Sequence, residues 1–182
     1  MLNIRRETMQ VNEIENLVYE CGEDLYRFCC YLTSNRDLAD ELYQDTFLKA
    51  VQLSHKLNRS GNCKSYLIGI AINLWKNHTH KKMRRNAILP EVDYEDKINQ
   101  LQAANTDLLE DYIEKELINE VRSAVNNLKE KQRLVVLLYY AESLSVNEIS
   151  NILHIPKGTV LSRLAKAREN LRKEMEEKGY EI

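Results

Sequence analysis

Apolar residues recur every three to four positions along most of the chain, the repeat of an α-helix with one buried face. Over 12–33 they fall at Ile14, Leu17, Val18, Cys21, Leu25, Phe28, Cys29 and Leu32. A second stripe runs over 37–54, with Leu38, Ala39, Leu42, Tyr43, Phe47, Ala50 and Val51, and Asp37 is the expected N-cap. The stretch 56–62 clusters Asn, Ser and Gly and predicts a loop. A long helix is predicted from 63 to 85. One of its faces carries Leu67, Ile70, Ala71, Leu74 and His78; the other carries Tyr66, Gly69, Asn73, Lys76, Asn77, His80 and Arg84. Periodicity then fades over 86–113, where Pro90 breaks any helix. That segment reads as a linker with room for a short helix near 95–104. Helical spacing returns at 114–128 with Leu117, Ile118, Val121, Ala124, Val125 and Leu128. The dense apolar run at 134–140 is too short to cross a membrane and suits a buried core helix. Two more helices are predicted, over 145–153 and 156–175. The expected fold is all-α: two small helical domains, 1–86 and 114–182, joined by a flexible acidic linker over 87–113.

Composition agrees with a helical protein: only 5 Gly and 2 Pro occur among 182 residues. No apolar run approaches the ~18 residues of a membrane span, and the N-terminal segment lacks the apolar stretch of a signal peptide, so the expected location is the cytoplasm with no direct membrane insertion. The net charge of -2 hides a strong segregation. Residues 73–85 carry Lys76, Lys81, Lys82, Arg84 and Arg85 and no acid. Residues 91–120 carry ten acids against Lys97 and Lys115. Residues 154–173 carry six bases against Glu169. Charge acts locally, because salt screens it beyond ~10 Å, so two basic blocks can serve as nucleic-acid surfaces in a balanced chain. Cys21, Cys29, Cys30 and Cys63 form no C-x-x-C pair, and reduced thiols are the default in a cytosolic chain. A zinc site from Cys63, His78 and His80 fits no familiar ligand spacing. No metal or cofactor is called for.

The clearest motif lies near the C-terminus. Ser145 and Glu148 have capping-box spacing ahead of Val146, Ile149, Ile152 and Leu153. Pro156 suits the first turn of a following helix, so the connection is very short, as in a helix-turn-helix. The next helix has Val160, Leu164, Ala167 and Leu171 as its inward stripe. Its outward set is Lys157, Thr159, Leu161, Ser162, Arg163, Lys166, Arg168 and Arg172. A recognition helix needs such an apolar rear and a face of hydrogen-bond donors, with small residues such as Ser162 and Ala165 allowing close approach to base edges. A charge run alone would equally suit a solvated surface helix. The capped preceding helix and the short turn favour DNA binding.

The segment S-V-N-E-I-S-N-I-L-H-I-P-K-G-T-V-L-S-R-L-A-K-A-R-E-N-L, residues 145–171, resembles the C-terminal domain of ECF (extracytoplasmic-function) RNA polymerase sigma factors of the two-domain group IV type. L-K-E-K-Q-R-L-V-V-L-L-Y-Y, 128–140, is similar to the first helix of that domain. His154 stands where the family usually has Gly, and Lys166 where Arg is common. The resemblance implies that Leu161, Ser162, Ala165 and Lys166 face the minus-thirty-five promoter element. Lys157 and Thr159 would flank them, and Arg163 and Arg168 would serve phosphate contacts.

The first half extends the resemblance. A-D-E-L-Y-Q-D-T-F-L-K-A, 39–50, looks like the family helix that docks on the coiled-coil clamp of the polymerase β-prime subunit. Asp40, Glu41, Gln44, Asp45 and Phe47 are the implied docking residues, an acidic face with apolar atoms beside it. Y-L-I-G-I-A-I-N-L-W-K-N-H-T-H-K-K-M-R-R, 66–85, resembles the promoter-melting region, with Tyr66 in place of a common Trp and Gly69 in place of a common Arg. Asn73, Lys76, Asn77, His80, Arg84 and Arg85 are the implied track for the single-stranded minus-ten element, and the loop at 56–62 with Cys63 the pocket for a flipped base. Trp75 reads more naturally as a core or interface residue than as a stacking platform.

The resemblance implies a protein with no covalent chemistry. Its partners would be core RNA polymerase (β-prime clamp and β flap), promoter DNA and an anti-sigma factor, often membrane-bound. A conventional helix-turn-helix regulator would need a dimer interface, and no heptad stripe offers one. A thiol or metal sensor is the other competing reading. The acidic linker is expected to avoid DNA and to thread a basic channel of the polymerase. Replacing its acids with Gln is then expected to lower initiation in transcription from a linear promoter; unchanged initiation would remove that role.

Overall fold

The computed structural model describes residues 11–53, 62–88 and 110–180. The expected loop at 56–62 lies outside them save for Asn62, as does the possible helix near 95–104. The described residues are helical, without a strand: α1 (Val11–Thr33), α2 (Arg36–Gln52), α3 (Cys63–Ile88), α4 (Glu110–Asn127), α5 (Glu130–Val136), α6 (Val146–Leu153) and α7 (Lys157–Glu177). A π-helical turn, Leu137–Ala141, continues α5. The chain divides into two compact units, Met1–Ile98 and Asn99–Ile182. Helices α3 and α4 reach into the stretch 87–113 from either side.

In the first unit α1, α2 and α3 all pack on one another. Helix α1 buries Leu17, Cys21, Leu25, Phe28, Cys29 and Leu32, the stripe its spacing predicts, while Val18 at its edge is 41% exposed. Helix α2 buries Ala39, Leu42, Thr46 and Ala50. The Thr46 hydroxyl donates to the Leu42 carbonyl at 2.6 Å, which satisfies it inside the core. Helix α3 buries a wider face than expected, with Ile68 and Ile72 joining Leu67, Ile70 and Ala71. Two helices cover it from two sides. Leu74 is half-buried and His78, expected inside, is exposed.

The cap of α2 is Asn35, not Asp37. Ser34 takes a left-handed conformation (φ 53) and reverses the chain within one residue. Asn35 is then extended, and its side-chain oxygen accepts from the Leu38 N–H at 2.9 Å. Asp37 falls in the first turn, where its charge favours the positive helix end.

In the second unit α4, α5 and α6 all pack on α7, and α5 carries the densest apolar run. Its run Leu134, Val135, Val136, Leu137 and Leu138 is buried on every side. The π turn ends this burial: Tyr139 and Tyr140, expected in the core, are 40% and 54% exposed and meet edge to face at 5.0 Å. Helix α4 buries Ala124 in its last turn, and Leu128 is buried just past its end; Leu117, Ile118 and Val121, also expected inside, are 40%, 41% and 42% exposed.

Ser145 and Glu148 form the predicted capping box: the Glu148 N–H donates to Ser145 Oγ at 3.2 Å and the Ser145 N–H to Glu148 Oε2 at 2.9 Å. His154 ends α6 in the left-handed region, φ 53 and ψ 46. Its turn is held by Ile155 N–H on the Ser150 carbonyl (3.1 Å) and by Ser150 Oγ on the Ile155 carbonyl (2.6 Å). Pro156 is the N-cap of α7, one residue before the first turn. Helix α7 buries Val160, Leu164, Ala167 and Met175, with Leu171 half-buried. Gly179 at φ 85 closes it, and the Tyr180 N–H returns to the Met175 carbonyl at 3.0 Å. A left-handed residue other than Gly costs roughly 1–2 kcal/mol, partly offset by the extra freedom of unfolded Gly. His154→Gly is therefore expected to stabilise the protein by up to roughly 1 kcal/mol, read as a higher urea midpoint at unchanged slope; a lower midpoint would mean that the His154 side chain supports the turn.

Candidate DNA and polymerase interfaces

Helix α7 is held by its rear stripe, and successive residues advance by about 100°. Leu161, Ser162, Ala165 and Lys166 therefore share the face opposite Val160, Leu164 and Ala167, and all four are exposed. Leu161 is 52% exposed, an apolar side chain held in water beside the polar ones. Lys157 and Arg168 are exposed on one flank; Thr159 and Arg163 are half-buried on the other. Lys166 pairs with Glu169 at 2.9 Å. Both are well exposed, and such surface pairs hold by only about 0–1 kcal/mol, so a phosphate or base can displace the glutamate. The Ser162 hydroxyl donates to the Thr159 carbonyl at 3.1 Å, leaving its oxygen free to accept. The Arg168 Nε donates to the Leu164 carbonyl at 3.4 Å, which holds the side chain along the helix.

Helix α3 contains no acidic residue between Cys63 and Ile88. Asn73, Asn77, His80 and Arg84 fall within a narrow angular sector and are exposed, and half-buried Lys76 lies beside them. Arg85 is exposed but sits about 100° around from Arg84. It does not share the track. Trp75 is half-buried and its indole stacks on the His78 ring, with centroids 5.5 Å apart and planes at 17°. Aromatic residues spaced i, i+3 are the signal for such a pair. Cys63 and His78 are fifteen residues apart on one helix, about 22 Å, so the conceivable zinc set with His80 does not assemble. Among the described residues no group of three or more metal-ligating side chains occurs. The four thiols are free, and burial pushes those of Cys21 and Cys30 up.

Helix α2 presents Glu41, Gln44 and Asp45 exposed, with Asp40 and Phe47 half-buried at the margins. Leu48 joins this face at 59% exposure, as the exposed apolar neighbour of the acids. Between α1 and α2 runs a shallow groove lined by Gly22, Glu23, Tyr26, Asp40, Tyr43 and Gln44. The α1 contribution is not visible in the α2 motif. The Tyr26 hydroxyl donates to Asp40 Oδ1 at 2.7 Å. Tyr26 meets Tyr43 edge to face at 5.5 Å, and Tyr43 meets Phe47 at 5.1 Å.

Residues 17–85 match the family described as Sigma-70 region 2, and residues 118–171 match Sigma-70, region 4. The ECF RNA polymerase sigma factor SigW of Bacillus subtilis is 30% identical over 156 residues, which cover 84% of this chain and 83% of that protein. SigM of the same organism is 27% identical over 164 residues, covering 90% of this chain and 94% of SigM. A solved structure of the sigma factor RpoE in complex with the anti-sigma factor NepR from Bartonella quintana superposes with a TM-score of 0.75 at 25% identity, covering 91% of this chain and 98% of that one. CnrH, solved with the cytosolic domain of CnrY, shares the fold, with a TM-score of 0.62 at 19% identity over 92% of this chain and 90% of that one. With both family regions in order on two helical units, this chain belongs to the ECF family of RNA polymerase sigma factors.

Proposed function

We propose that the chain divides its work as follows. Residues 1–86 dock on the β-prime clamp of core RNA polymerase and capture the melted minus-ten element. Residues 114–182 read the duplex minus-thirty-five element beside the β flap, and 87–113 connect the two. The observation that carries this reading is the exposed face of α7, where Leu161, Ser162, Ala165 and Lys166 stand together on a helix whose rear is buried. Leu161 suits a thymine methyl, Lys166 a guanine or a phosphate, and the backbone is met by Lys157 and Arg168 on one flank and by Arg163 on the other. In α3, Asn73, Asn77, His80 and Arg84 form a track of donors along one face, with Lys76 beside it and Arg85 reaching the backbone from another side. Single-stranded bases expose edges that the duplex hides, so a surface that binds only the open strand shifts the equilibrium towards opening. On α2, Asp40, Glu41, Gln44, Asp45 and Phe47, with Leu48, supply acids for partner bases and apolar area for burial.

Control by an anti-sigma factor follows from the same reading, because RpoE, which this chain resembles over nearly its whole length, is solved in such a complex. The protein acts in the cytoplasm, and among the described residues no helix is long and apolar enough to cross a membrane. The inhibitor would carry any membrane anchor.

The test is initiation by core polymerase on a library of random upstream DNA. Wild-type protein is expected to bind core and to enrich a two-block promoter. Asp45→Arg is expected to abolish core association and initiation together while leaving the helical circular-dichroism signal intact. DNA binding without core association would overturn the docking assignment. In the same assay Arg84→Ala is expected to slow strand opening, read by permanganate reactivity of unpaired thymines, and to weaken its salt dependence by about one phosphate contact. Unchanged opening would remove Arg84 from the track.

A further inference from the structure

The hydrogen bond from Tyr26 to Asp40 links α1 to the outer face of α2. Asp40 is half-buried, and among the described residues it enters no ion pair. An ionised carboxylate has two oxygens and about four acceptor positions. Tyr26 occupies one position on Oδ1, which leaves Oδ2 for a cation. Tyr26 is itself fixed. Its ring lies edge to face against Tyr43 at 5.5 Å, and Tyr43 against Phe47 at 5.1 Å. Gly22 makes room for this set, because a Cβ there would stand 3.0 Å from the Tyr43 hydroxyl. The bond to Asp40, with burial adding to it, holds the Tyr26 phenol above its usual range. Arg36 also approaches the phenol from the turn of α2 before Asp40. Glu23 lines the same groove but is paired with Arg27 at 3.2 Å. Asp40 is the groove carboxylate that a hydroxyl from a second helix holds in place.

We propose that Tyr26 is a positioning residue for polymerase docking: its hydroxyl orients the Asp40 carboxylate to receive a basic side chain of core polymerase. This rests on the docking reading of α2. A surface carboxylate that must be ordered on binding loses part of its interaction to that ordering, and a carboxylate already held does not. The partner group is a guanidinium or ammonium, chosen by the carboxylate and by the aromatic walls of Tyr26 and Tyr43, whose faces also attract cations.

The experiment is a double-mutant cycle on the full-length protein, reading the dissociation constant for core polymerase. Tyr26→Phe keeps both ring contacts and removes only the donor; Asp40→Asn keeps the shape and removes the charge. Tyr26→Phe is expected to weaken binding about 2- to 10-fold, the range of one net hydrogen bond, with an unchanged melting temperature. Asp40→Asn is expected to weaken it at least as much, and the double variant to bind no more weakly than Asp40→Asn alone. Wild-type binding by Tyr26→Phe would overturn the proposal, and so would a Tyr26→Phe loss that persists undiminished in the Asp40→Asn background. Wild-type binding by both Asp40→Asn and Asp45→Arg would overturn the docking assignment itself, and this inference with it.

Discussion

Val160, Leu164 and Ala167 are packed away from water on a helix that meets α4, α5 and α6, and what α7 offers to a partner follows from that packing. Burying a Val or Leu side chain contributes roughly 1.5–3 kcal/mol. A surface pair such as Lys166–Glu169 contributes at most about 1 kcal/mol. Burial therefore sets the rotation of the helix about its own axis, and the charged side chains take the positions left over. With 3.6 residues per turn, those positions can only be the sector around Leu161, Ser162, Ala165 and Lys166. The capping box at Ser145 and the left-handed His154 fix where the helix begins, so rotation and starting point together define its exposed face.

The same obligation governs the first unit, where α1 and α2 both cover α3. Its buried face widens to include Ile68 and Ile72, and the basic track is confined to the narrow sector that remains. Arg84 stays in that sector and Arg85 leaves it. Past Ala71 and Ile72 the core-facing side of α3 progressively emerges into solvent. Trp75 and His78 cover each other there by stacking, which explains an aromatic ring at a position neither fully inside nor outside.

The acidic face of α2 is built differently. It draws on a second element, since Tyr26 of α1 reaches Asp40 of α2 and aromatic contacts pass from Tyr26 through Tyr43 to Phe47. A charged side chain on one helix is thus set by a hydroxyl from another. Such an arrangement makes the acidic surface a property of the helix pair.

Much of this protein was determined locally. The three-to-four repeat placed α1, α6 and α7. The Ser145–Glu148 spacing foretold a capping box, because both partners lie within one turn. Segregated charge marked the two basic helices, since charge runs act at short range whatever surrounds them. The tertiary structure decided what depends on neighbours distant in sequence. Asn35 displaced Asp37 as the cap because Ser34 turns the chain early. Val121 and Tyr140 stayed exposed because no described helix covers them, although their spacing and their apolar character mark them for a core. The bond between Tyr26 and Asp40 joins residues fourteen apart, a distance at which no helical repeat carries information. Periodicity says that a helix has an inside; only packing says how wide that inside is, and which residues at its margin are left to meet a partner.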